Sequence, residues 1–114
     1  MIKFEVAIHK AELDIVAATV CDTCDITLPE FLSKNRTEQL SDARKIFIHL
    51  CRGTVSKYTC SRLGMYMGRD HSSITYAEQR AEVFIKVDSN FKELYQLCRE
   101  RARQRLKLNG YEYR

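Results

Sequence analysis

Apolar residues recur along this chain mostly at intervals of three and four, the period of helices that bury one face. The first eight residues differ. Ile2, Phe4, Val6 and Ile8 alternate, as in a strand, yet no clear second strand follows. Residues 1–8 therefore read as an extended arm, as the start of the first helix, or as a pairing edge in a dimer. From His9 to Thr23 the pattern turns helical, with Leu13, Val16 and Val20 on one side. Thr27-Leu28-Pro29-Glu30 is a capping box with proline in the first turn, and Ile26 and Phe31 have the spacing of a hydrophobic staple. A short helix is predicted to about Lys34, followed by the polar loop Asn35-Arg36-Thr37-Glu38.

Ser41 is the predicted cap of a third helix that carries Ile46, Phe47, Leu50 and Cys51 on one face and stops at Gly53. A fourth helix is predicted over 56–67, with Tyr58, Leu63 and Met67 as core positions and Gly68 as the turn. The fifth begins near Asp70 and buries Ile74, Ala77, Ala81, Phe84 and Ile85, leaving Ser72, Thr75, Tyr76 and Gln79 outward. Asp88-Ser89-Asn90 breaks and caps. A sixth helix, over 89–108, buries Phe91, Leu94, Tyr95, Cys98 and Ala102 and carries the basic run from Arg99 to Lys107.

The pattern is that of an all-α domain of about six helices spanning 1–114. With 45% hydrophobic and 30% charged residues the chain is a folding one, not a disordered tail. Net charge is +4, which tolerates a polyanion without demanding one, so the placement of charge matters more than its sum. No apolar run is long enough to cross a membrane, and the N-terminus lacks the features of a secretion signal. Five irregularly spaced cysteines suit free thiols, which points to a cytoplasmic protein.

The densest chemistry lies at Gly68-Arg69-Asp70-His71-Ser72-Ser73-Ile74. A glycine closes one helix, and the next opens on polar groups able to meet base edges and phosphates in a major groove. Two other readings of the residues are weaker. Cys21-x-x-Cys24 has no second pair to complete a zinc site, so no metal is expected. Consecutive Asp70, His71 and Ser72 point about 100° apart on a helix and cannot form a catalytic relay, so no catalysis is expected.

These residues also carry a resemblance. Gly68 to Ile74, with Ala77, resembles the recognition-helix signature of the C-terminal DNA-binding domain of the bacterial replication initiator DnaA. Leu28-Pro29-Glu30-Phe31-Leu32-Ser33-Lys34-Asn35-Arg36 resembles that family's short helix and basic loop, and Ala43-Arg44-Lys45 follows at the right distance. Two departures stand out: Met67 replaces the first of the two glycines often found in the turn, and the loop after Lys34 is less basic.

The resemblance implies an all-α fold built on a helix-turn-helix core of Trp-repressor type. It implies that Asp70, His71 and Ser72 approach base edges in the major groove and that Arg36 enters the adjacent minor groove. It further implies phosphate contacts from Arg44, Lys45, Arg52, Arg69, Ser73 and Tyr76. The expected partner is double-stranded DNA at initiator-box-like sites, with a replication protein as a further partner and no cofactor. No Gly-x-x-x-x-Gly-Lys-Ser/Thr loop occurs, so no ATPase activity is expected of this chain. The competing readings are a protein-interaction or dimerisation module using the N-terminal apolar stretch and last helix, and an RNA-binding domain using the basic last helix.

Overall fold

The computed structural model describes residues 2–111, with side chains from Lys10 onward. Six α-helices follow one another: α1 (Ile2–Cys24), α2 (Leu28–Leu32), α3 (Glu38–His49), α4 (Cys60–Met67), α5 (His71–Val87) and α6 (Ser89–Leu108). A single π-helical turn, Leu50–Thr54, extends α3. No strand occurs among the described residues. The fold is all-α, with α4, the Gly68 turn and α5 as the helix-turn-helix.

The alternating start is helical, not an extended arm: the backbone of α1 begins at Ile2. Eight residues are too few for period alone to separate strand from helix, and continuity with the helical pattern from His9 decides the matter. At its other end α1 stops at Asp25, which takes a left-handed conformation (φ 58°), and the Ile26 N–H closes on the Cys21 carbonyl at 3.0 Å. The Thr27 capping box forms in full: the Thr27 N–H donates to Glu30 Oε1 (3.0 Å), and the Glu30 N–H donates to Thr27 Oγ1 (3.2 Å).

Two boundaries depart from the sequence reading. Thr37, not Ser41, caps α3, its hydroxyl accepting from the Leu40 N–H at 3.2 Å. Ser41 sits inside the helix and accepts from Lys45 Nζ (2.7 Å). Gly53 does interrupt the helix, with an extended φ of 177°, although the hydrogen bonding of the π turn runs on to Thr54. Residues 56–59 are not helical, and α4 starts at Cys60 behind the Thr59 cap. Ser and Thr are alternative caps wherever two lie within a turn of each other, and only tertiary packing chooses between them.

The long helices α1 and α6 pack along each other, and α5 packs against α3 and α4. One apolar cluster joins them, with Val16, Phe31, Phe47, Leu63, Ile74 and Leu106 wholly buried. Each such side chain stabilises the fold by about 1.5–3 kcal/mol. Phe31 meets Phe47 edge-on at 5.2 Å between ring centroids, so the five-residue α2 is held by its packing rather than by its own length. Where α3 ends, His49 Nδ1 and Thr54 Oγ1 both bond the Tyr95 hydroxyl (2.7 and 2.9 Å), tying that end to α6.

Candidate nucleic-acid interface

The turn between α4 and α5 is built by two glycines with different duties. Gly68 caps α4 in a left-handed conformation (φ 69°), where a side chain would be strained. Gly64, one turn earlier, lets the next segment come close: its carbonyl accepts from the Arg69 N–H at 2.8 Å, and a Cβ there would lie 2.5 Å from the Arg69 carbonyl oxygen. Met67 is buried, so the position where the resemblance suggests a second glycine here serves the core.

Asp70 occupies the N-cap of α5, and its backbone carbonyl accepts from the N–H groups of Ser73 (3.1 Å) and Ile74 (3.2 Å). Its carboxylate makes no cap bond. An N-cap aspartate normally bonds the second or third N–H of its helix. Here the carboxylate instead stands exposed beside exposed His71, Ser72 and Ser73. The first turn of α5 thus presents a carboxylate, an imidazole, two hydroxyls and the positive end of a 17-residue helix dipole.

Two recesses flank this turn. One, of about 680 Å³, runs between α3 and α5 and is lined by Lys45, Ser72, Tyr76 and Arg80, among others. The second, of about 870 Å³, lies between the loop after α2 and the turn and takes in Lys34, Ser61, Asp70 and His71. Arg36, Arg69 and Ser73 line both. Burial lowers the Arg44 guanidinium from its ordinary value, with Arg69 and Arg36 pushing the same way, and burial followed by Arg36 does the same to Arg69. These three cations crowd one another, and no ion pair among the described residues relieves any of them. An anion placed there would remove the repulsion.

Residues 13–81 match the family model described as bacterial dnaA protein helix-turn-helix. The chain belongs to that family. It is 32% identical over 96 residues to the chromosomal replication initiator protein DnaA of Mycobacteroides abscessus, covering 77% of this chain and 18% of that protein. The DnaA of Sulfurimonas denitrificans is 33% identical over 81 residues (70% of this chain, 18% of that protein). The DnaA of Tropheryma whipplei is 34% identical over 74 residues (64% of this chain, 15% of that protein). The chain thus spans less than a fifth of the length of these relatives. It is a DnaA-type helix-turn-helix DNA-binding domain.

Within this DnaA-type domain the sequence-predicted residues divide. Arg36, Asp70, His71, Ser72, Ser73, Tyr76, Lys45 and Arg69 come together around the two recesses. Arg44 also lines the first recess, but its guanidinium is engaged by the protein. It is 7% exposed, and its guanidinium donates to the carbonyls of Glu30, Phe31, Ser33 and Asn35. Arg52 lies apart from them: its Nε pairs with Glu78 (3.0 Å), its Nη1 donates to the Tyr58 carbonyl (2.8 Å), and it lines neither recess. The phosphate roles of both are implied by the resemblance, and the acceptors that engage them come largely from segments distant in sequence.

Arg80 went unnoticed. It lines the first recess, and its guanidinium carbon lies 4.9 Å from the Phe84 ring centroid, with Lys45 Nζ at 5.0 Å from the same ring. The signal was present in the spacing, since Arg80 continues the line from Ser73 through Tyr76 at steps of three and four. Thr75, expected outward, is half-buried and donates to the His71 carbonyl at 3.0 Å.

Cys21 and Cys24 lie buried on α1. Burial pushes the Cys21 thiol up to about 11, and the Cys24 thiol is raised by its bond to Cys98 on α6 and then by burial. Such protonated thiols fill space as small hydrophobes. Among the described residues, no group of three or more His, Cys, Asp or Glu side chains is placed to hold a metal ion. No described helix is long and apolar enough to cross a membrane.

Proposed function

We propose that this domain binds double-stranded DNA in a sequence-dependent way, at initiator-box-like sites of the kind found at replication origins, and regulates replication or transcription by occupying them. The observation that carries this reading is the first turn of α5, where the Asp70 carboxylate bonds no backbone N–H and stands exposed with His71 and Ser72 next to an arginine cluster without acidic partners. A helix that presents unspent polar groups at its N-terminus fits a major groove. In this reading Asp70 accepts from a cytosine amino group, His71 meets a thymine methyl or a base nitrogen, and Ser72 donates or accepts. Arg36, on the rim shared by both recesses, enters the neighbouring minor groove, where negative potential favours a guanidinium. Lys45, Arg69, Ser73 and Tyr76 meet phosphates, and Arg80 joins them.

The relatives' name, chromosomal replication initiator protein, supports a role in replication. A replication protein is accordingly proposed as a second partner. ATP hydrolysis is not assigned to this chain, which has no Gly-x-x-x-x-Gly-Lys-Ser/Thr loop. The RNA reading through the basic run of α6 is weaker. Arg101 donates to Thr23 (3.3 Å) and Arg105 pairs with Asp22 (2.9 Å), so two of its cations tie α6 to α1. Selection from a pool of random duplexes tests the proposal: a recurring motif of one or two helical turns is expected, and enrichment with no motif would refute sequence dependence.

A further inference from the structure

Arg44 makes an arrangement that a phosphate ligand would not need. Its Nε donates to the Phe31 carbonyl (2.9 Å), its Nη1 to the Asn35 carbonyl (2.6 Å), and its Nη2 to the carbonyls of Glu30 (3.0 Å) and Ser33 (2.9 Å). The first two carbonyls in chain order lie near the end of α2, and that of Glu30 also accepts from the Ser33 N–H (3.1 Å) and hydroxyl (2.6 Å). From the other side, Arg69 Nη2 donates to the same Ser33 carbonyl at 2.8 Å. Ser33 is thus gripped by α3 and by the turn that leads into α5. Asn35, bonded by Arg44, is the residue directly before Arg36.

We propose that Arg44 and Arg69 are positioning residues that hold the Arg36 loop at a fixed offset from the first turn of α5, so that the reading of the two grooves is a single coupled event. The inference rests on the duplex-binding reading above. Only a guanidinium suits the task. Its planar fork reaches carbonyls on four residues at once, whereas an ammonium is a point donor on a flexible stem. Turning Arg44 toward a phosphate would strip the Phe31 and Asn35 carbonyls of this donor, while those of Glu30 and Ser33 keep donors from Ser33 and Arg69, so the move is unfavourable. The cation is buried without a carboxylate partner, so its hydrogen bonds to the loop are what hold it there.

The consequence is a coupling that charge alone does not provide. Arg44→Lys keeps the charge and loses the fork, so the loop loses its offset while the recognition turn keeps its side chains. The test compares the parent, Arg36→Ala, Arg44→Lys and the double variant on two probes. One is the duplex that wins a random-sequence selection with the parent; the other is a scrambled duplex of equal composition. The expected result is that Arg44→Lys lowers discrimination on the order of tenfold, as residues of one hydrogen-bond network couple, and that it adds nothing once Arg36 is gone. Unchanged discrimination in Arg44→Lys, or losses that multiply in the double variant, overturns the proposal.

Amide hydrogen exchange of residues 34–37 in the free proteins supplies a readout that needs no DNA. Faster exchange in Arg44→Lys supports the clamp, and unchanged exchange overturns it. If the parent shows no preference between the duplexes, the duplex-binding reading fails and the exchange result alone decides the clamp. If Arg44→Lys does not fold, Arg69→Lys takes its place in the exchange measurement, which needs no DNA and so is not affected by the phosphate contact proposed for Arg69.

Discussion

Replacing Gly64 with alanine adds a single methyl group, and the surroundings determine its cost. The new Cβ would lie 2.5 Å from the Arg69 carbonyl oxygen, roughly 1 Å inside ordinary contact. That oxygen is backbone, and it sits between the left-handed Gly68 and the N-cap Asp70. The same Arg69 peptide donates its N–H to the Gly64 carbonyl at 2.8 Å. Relief of the clash therefore has to move the turn and strain or break that bond. Overpacking of this kind costs about 1–3 kcal/mol, and a lost hydrogen bond adds about 1 kcal/mol. Alanine's better helix propensity returns about 1 kcal/mol. The net expectation is a destabilisation of about 1–3 kcal/mol, or a fall in Tm of about 4–12 °C for a domain of this size. Urea denaturation with an unchanged m-value measures it cleanly. A Gly64→Ala variant as stable as the parent would refute the claim that the close approach of the Arg69 backbone requires glycine at this position.

The remaining predictions concern the recognition turn, the groove and the α2 cap. His71→Ala lowers the preference for a selected duplex over a scrambled one by about 1–3 kcal/mol; an unchanged ratio in a competition assay removes His71 from base reading. Arg80→Ala weakens both duplexes about equally and reduces the slope of log K against log salt by about 1, and a loss confined to one sequence contradicts a phosphate role. Glu30, bonded by the Thr27 N–H and hydroxyl, has its carboxyl held below the usual glutamate value. Its contribution to stability is therefore present above that usual value and is lost as pH falls through the lowered one. Thermal melts of Glu30→Gln are expected to fall below the parent at neutral pH and to converge with it in acid; a constant gap across pH argues against this linkage.

The helix-turn-helix was legible because its signals are local. Gly68 closes α4, Asp70 caps α5, and Ile74 with Ala81 marks the buried face. The sixth helix was legible for the same reason, with Asp88 accepting from the Phe91 N–H as its cap. What eluded the sequence reading depended on contacts between distant segments. Thr37 rather than Ser41 caps α3, and nothing within four residues distinguishes the two. Arg44 looks like a surface cation on its own helix, and its duty appears only when α2 folds over it, 13 residues earlier for the Phe31 contact. Arg52 likewise finds Glu78 across the fold. The exposed turn of α5 could be anticipated residue by residue, but the finding that the Asp70 side chain makes no cap bond required coordinates.

The most direct test of the central claim is fluorescence anisotropy of the full chain with a labelled duplex carrying an initiator-box sequence, against a scrambled duplex of equal composition, over a salt series. Sequence-dependent duplex binding predicts tighter binding to the box duplex at every salt concentration, with both affinities falling as salt rises. Equal affinity for the two duplexes throughout, or no binding at moderate salt, would contradict it.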